Sequence, residues 1–218
     1  MRNFLSMVCL FCLLQACHSD KKPRAERPAV SSQVIAAAPA DCRYEEYKKV
    51  SRLLVQRYRE RPLDTNYNLL VQFIADSLVP CWYGTPWDFN GTTQTPGQGK
   101  IACGYFVTTV LRDAGFTLDR VKLAQCASEQ LVTTTCTGVQ RYSKKALRDF
   151  VAAIKKAGRG LYIVGLDNHT GFLYHNGKEI SFIHAGYLPP RCALREPAAE
   201  SPTLAASAYR VVGKINWQ

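Results

Sequence analysis

The sequence predicts an α+β fold, and three observations carry that expectation. Apolar residues recur at helical spacing through residues 41–114, the pattern turns extended and β-branched after Gly158, and a Gly/Thr/Gln/Pro-rich interval separates the second and third helical stretches. Several helices followed by hairpin-connected strands imply segregated layers with an antiparallel sheet. At 218 residues and 47% hydrophobic composition, the chain supports one ordinary core behind an N-terminal extension.

The first helix is expected from an Asp41 cap, with Tyr44, Tyr47, Leu54 and Tyr58 at helical spacing and an end before Pro62. A second fits residues 65–78, with Leu69, Leu70, Phe73 and Ile74 inward and Pro80 beyond its end. Residues 86–100 read as loop. The next helix covers 103–113, placing Cys103, Phe106, Val107, Val110, Leu111 and Ala114 on one stripe with Gly115 as its stop. Residues 121–138 read as a helix followed by a Thr-rich loop. Ser143 then opens a helix carrying Leu147, Phe150, Val151 and Ile154, closed by Gly158. Strands are expected at 161–166, 169–175, 179–184 and 209–215.

The extension has its own signature. Arg2 precedes an apolar run from Phe4 to Leu14, too short to span a membrane, and Leu14-Gln15-Ala16-Cys17 follows. This resembles a bacterial lipoprotein signal, which implies removal of residues 1–16 and lipidation of Cys17. Residues 17–40, rich in Lys, Arg, Ser, Pro and Ala, then read as a flexible tether, and 41–218 as the folded domain. Removing 1–16 takes Arg2 and no acidic residue, so the net charge falls from +11 to +10. That charge suits anionic head groups or an acidic wall polymer, and an exported chain is a poor nucleic-acid binder. The expected place is the cell envelope, on the periplasmic side of a membrane, with the outer membrane first.

Nine cysteines are present, of which Cys9, Cys12 and Cys17 belong to the signal. Cys42, Cys81, Cys103, Cys126, Cys136 and Cys192 remain, an even set that an oxidising envelope could pair. Cys126 and Cys136, flanking a short polar segment, are the first candidate bridge. Cys103 stands apart, because the first turn of a helix favours a thiolate through unpaired N–H groups. Gly97, Gly99 and Gly104 around it would let a substrate backbone approach.

A nucleophile needs a base. Beyond His18, the histidines lie in "NHTGFLYHNGKEISFIHAG", where Asn176-Gly177 signals a two-residue hairpin turn. His175 would face Lys178 and His169 would face His184, so the last two become neighbours on one face while His175 sits exposed at the turn end. His169 is then the candidate base and His184 its orienting partner. Two histidines without a further ligand at suitable spacing make a weak zinc site, so neither metal nor cofactor is expected. Trp82, Tyr83, Trp87 and Phe89 divide between core and cleft wall. Asp88 could bind a substrate amine, Asp167 and Asn168 turn one strand into the next, and Arg57, Arg59 and Arg61 read as a solvated helix end.

The run "PWDFNG…IACGYFVTTVLRDAG" followed by "HTGFLYHNGKEISFIHAG" resembles the NlpC-type cysteine peptidases of bacterial cell walls. The resemblance covers about residues 86–186 and lies in the order and spacing of elements. It implies a papain-like α+β fold, with N-terminal helices packed on an antiparallel sheet, and hydrolysis of amide bonds in peptidoglycan stem peptides. By it Cys103 is the nucleophile, His169 the base and His184 the third residue; Trp87, Asp88 and Gly104 are the candidate substrate-binding residues. Ala102 and Gly104 stand where the family usually carries Asp and Ser, so the trio is retained and the substrate grip altered. Two rivals share these residues: an envelope lipoprotein that binds wall fragments without turnover, and an acyltransferase using the same thiol.

Overall fold

The computed structural model describes residues 33–217. The expected signal segment and Cys17 lie outside the described residues. The chain joins the fold ahead of Asp41: Ile35 exchanges two backbone hydrogen bonds with Arg195, at 2.8 and 2.9 Å, where tether was expected. A β-branched residue against a free strand edge is favoured over a solvated coil.

Helix α1 (Tyr44–Glu60) begins after Arg43, and no side chain caps it, so the Asp41 cap does not form. Helix α2 (Asp64–Phe73) runs straight into one π-helical turn (Ile74–Leu78) and a 3-10 turn (Val79–Trp82). Pro80 is therefore inside the 3-10 turn, in its opening positions, where a missing N–H costs nothing. Leu69, expected inward, is exposed, and Val71 is buried beside Leu70 and Ile74 instead. Helix α3 (Cys103–Ala114) closes on Gly115 at φ +107°, as its sequence implies.

Helices α4 (Arg120–Gln125) and α5 (Ser128–Thr135) replace the expected helix and loop, and α5 leads directly into strand β1 (Cys136–Ser143). Helix α6 (Leu147–Ala157) opens later than Ser143, which belongs to β1. Strands β2 (Gly160–Leu166), β3 (Thr170–His175) and β4 (Ile180–Ala185) follow, then β5 (Ala193–Pro197), the short α7 (Pro202–Ala206) and β6 (Tyr209–Ile215). All pair antiparallel, in the order β1-β6-β2-β3-β4-β5. The architecture is α+β, and the two edge strands are the ones without a hydrophobic signature.

Alternation along β2 sorts the core. Leu161 and Ile163 join the cluster of α1, α2 and α3, whereas Tyr162, Val164 and Leu166 join Phe150 and Ile154 of α6 and Leu204 of α7. Every residue of β2 is accordingly buried, as a strand covered on both faces must be. A relay of edge-on rings crosses the first layer: Tyr44 on Trp82, Trp82 on Phe106, and Phe106 on Phe172 of β3, with centroids 5.8, 6.1 and 5.9 Å apart. Trp82 also donates its indole N–H to the Tyr44 hydroxyl at 2.9 Å, which donates to Asp113 on α3 at 2.8 Å.

The hairpin differs from its expected register. His175 pairs with Ile180, not Lys178, and residues 176–179 form the loop. The Asn176 side-chain oxygen accepts the N–H groups of Lys178 and Glu179, at 2.8 and 2.9 Å, a local turn that outcompetes the two-residue one. A shift of two residues leaves every side chain on its original face. His175 itself is buried rather than exposed, with no hydrogen-bond partner on either ring nitrogen among the described residues.

Cys42 and Cys81 form the disulfide, joining the start of α1 to the 3-10 turn across a sequence separation of 39. Cys126 and Cys136 are both free. The intervening α5 spans roughly 12 Å at 1.5 Å per residue, too far for a bridge. Closing the Cys42–Cys81 loop, with its sequence separation of 39, stabilises by about 4 kcal/mol in the chain-entropy account. Urea unfolding of Cys42→Ala/Cys81→Ala should therefore show a loss approaching ~4 kcal/mol, against less than ~1 kcal/mol for Cys126→Ala at its half-buried position.

Candidate functional site

Cys103 is the first residue of α3, and the residue before it, Ala102, is extended. The opening N–H groups of a helix have no intrahelical partner, so the thiol sits beside free donors. The polar groups acting on its sulfur are backbone N–H groups, of Thr170, Gly104 and Cys103 itself, and they lower the thiol pKa. Burial acts more strongly and leaves it above its ordinary value. The thiolate expected from the helix start is thus outweighed by desolvation, and Cys103 rests as a neutral thiol.

Cys103 and His169 line one cavity of about 700 Å³, walled by the loop before α3, by α4 and α5, and by the turn between β2 and β3. His169 Nε2 lies 2.9 Å from His184 Nδ1. Both imidazoles are buried. Burial, with the adjacent His184 adding to it, holds His169 well below the ordinary histidine range. His184 is lowered by burial too, with Glu196 working in the opposite direction. A neutral His169 is a proton acceptor, and the bond through Nε2 leaves Nδ1 as the nitrogen for that task.

Gly171 explains how His184 reaches across. A side chain there would collide with Phe182 and with His184 Cβ, at 2.7 and 2.8 Å. Without one, the Phe182 and His184 rings stack over the vacant position, centroids 4.1 Å apart, and His184 meets His169 two residues along. The pair therefore forms on the diagonal, not face to face. Tyr187 closes the far side, its ring edge-on to His169 at 5.3 Å.

The expected substrate residues separate. Trp87 does line the cavity, its ring under the Arg191 guanidinium at 5.1 Å and tilted on Tyr187 at 6.2 Å. Phe89, 79% exposed, lines it too, whereas Trp82 and Tyr83 are core. Asp88 does not face the cavity: it caps the Asn90 N–H at 2.9 Å and pairs with Lys100 at 3.1 Å over a neighbouring depression. A short side chain so close to two local donors is captured by them. Gly104 lines the cavity, but its own reason for being glycine is packing, since a Cβ would strike the Ala124 carbonyl of α4. Gly97 and Gly99 lie outside this cavity, in positive-φ turns.

Asp167 is the only charged side chain lining the cavity among the described residues. Its carboxylate accepts the Ala208 N–H at 2.7 Å, the Ser207 hydroxyl at 3.1 Å and the Tyr209 N–H at 3.1 Å, which hold its pKa low. Arg120, buried, fixes the loop wall by donating to the Thr92 and Thr93 carbonyls, both at 2.9 Å, and to the Thr109 hydroxyl at 2.7 Å. Glu196 on β5 lies behind His184, with Oε1 3.3 Å from His184 Nε2. Reading the residues missed it, because the strand that carries it, Ala-Leu-Arg-Glu-Pro, has neither alternation nor length. Among the described residues no group of three or more His, Cys, Asp and Glu side chains is arranged to hold a metal.

Two outcomes follow from this geometry. Alkylation of Cys103, read by mass on its own peptide, should speed up as pH rises, with a midpoint above the ordinary thiol value of about 8.5, because burial disfavours the thiolate. Gly171→Ala should displace His184 and cost about 1–3 kcal/mol in urea unfolding.

Compared with known proteins, the chain matches no family model, no curated protein and no solved structure at a significant level.

Proposed function

We propose that this protein is a cell-envelope cysteine hydrolase of papain-like fold, anchored by lipid at Cys17, that cleaves amide bonds in peptidoglycan stem peptides. The observation that carries the reading is a free thiol at the start of a helix sharing one cavity with a buried, neutral imidazole whose far nitrogen is held by a second histidine. Nucleophile, base and orienting group are the parts that acyl transfer through a thiol requires. The substrate class comes from the resemblance to NlpC-type peptidases.

In this mechanism substrate binding brings the thiol and His169 together, and His169 Nδ1 takes the Cys103 proton as sulfur attacks the amide carbonyl. Free N–H groups at the start of α3 stabilise the oxyanion. His169 then returns the proton to the leaving amine, and water releases the acyl group. Because thiol and imidazole both rest neutral, no charge separation precedes substrate binding.

A second reading, acyl transfer to an amine, draws support from the wall. Trp87, Phe89, Tyr187, Leu123 and Leu131 offer apolar surface, and the one carboxylate is already occupied by backbone donors. A neutral acyl group suits such a cleft. No no-turnover reading is favoured by a bridged Cys103, since its thiol is free.

The test is mass spectrometry of peptidoglycan fragments incubated with the purified protein under mild reduction, beside Cys103→Ala. Expected are cleavage products that fall at least about a thousandfold with the alanine variant. Equal product from both proteins would overturn the assignment, and products joined to an added amine would select the transfer reading.

A further inference from the structure

Behind the two histidines lies a third buried group. Glu196 is 8% exposed and stands on β5 opposite Phe182, on the face that also carries His184. Its Oε1 is 3.3 Å from His184 Nε2, and neither atom has a hydrogen-bond partner among the described residues. Two orphaned buried polar atoms at this separation can satisfy each other.

We propose that Glu196 is a positioning residue that sets the tautomers of His184 and His169. The proposal rests on the reading of Cys103 as nucleophile only for its catalytic consequence. Carboxylate oxygen accepts and does not donate, so His184 must carry its proton on Nε2. A neutral His184 then has Nδ1 as an acceptor. That acceptor faces His169 Nε2 at 2.9 Å, so His169 must carry its proton there. Nδ1 of His169 is left with its lone pair.

The chain of donors is thereby single-valued from one end. When the Cys103 S–H bond breaks, its proton forms a bond to His169 Nδ1, leaving a thiolate and an imidazolium. The imidazolium keeps its Nε2–H bond to His184, and His184 keeps its Nε2–H bond to Glu196. No proton passes on to the carboxylate, whose part is to hold the tautomers and offset the new positive charge. With the opposite tautomers, His169 would carry its proton on Nδ1 and could accept nothing there.

The experiment is ring nitrogen–proton correlation NMR of the nitrogen-15 labelled full chain, with His169 and His184 assigned by single His→Gln variants. Both should show the Nε2–H form, and an Nδ1–H form at either histidine would overturn the proposal. Glu196→Ala should admit the Nδ1–H form and lower kcat about tenfold to a hundredfold with KM unchanged. Unchanged tautomers in that variant would overturn it as well. The tautomers of the unaltered protein do not depend on how Glu196→Ala folds, so an Nδ1–H form there overturns the proposal in either case. If Cys103→Ala turned over normally, the nucleophile reading alone would fail, because the tautomer spectrum does not depend on turnover.

Discussion

The packing of α3 on β3 is the contact from which the rest of the site follows. Phe106 sets its ring edge-on to Phe172, and Trp82 presses on Phe106 from the other side, tied through Tyr44 to the end of the same helix. These rings are rigid and buried, and their close packing leaves the helix little freedom to slide or turn. With the middle of α3 held in this way, its first residue is placed at the beginning of β3. There the Thr170 N–H acts on the Cys103 sulfur, and His169, one residue earlier, enters the same cavity.

Two glycines keep that arrangement open, for one physical reason. At Gly104 the backbone of α4 comes so near α3 that no Cβ fits, and at Gly171 the Phe182 and His184 side chains occupy the space of the missing one. Each is a point where two layers meet at backbone distance. The first draws the cavity wall against the helix of Cys103, and the second lets one histidine lean over to the other. A glycine that looks like room for substrate is here room for the protein itself.

Desolvation governs the electrostatics. It raises the thiol and lowers both imidazoles, so each ionisable member of the group is pushed toward its uncharged form. A buried neutral set costs less than a buried thiolate–imidazolium pair at rest. The tautomers then matter more than the charges, and a carboxylate at the rear of the relay is the group that can choose between them. The cavity wall is in keeping with this, since its one carboxylate is saturated by neighbouring N–H and O–H donors.

The sequence by itself determined the α+β order, the limits of α3, the strand pattern of β2, β3, β4 and β6, and the shared face of His169 and His184. Those features rest on local signals: helical spacing closed by Gly115, runs of β-branched and aromatic residues, and a side-chain period of two that survives an even change of register. Only the tertiary structure decided the Cys42–Cys81 bridge, the edge strands β1 and β5, the outward turn of Asp88 and the place of Glu196. Each depends on which distant segments meet, and β5 is a strand because β4 offers it a free edge, not because its five residues alternate. The thiol's protonation was decided there too. A helix start is visible in the residues, but the depth of burial that outweighs it belongs to the folded whole.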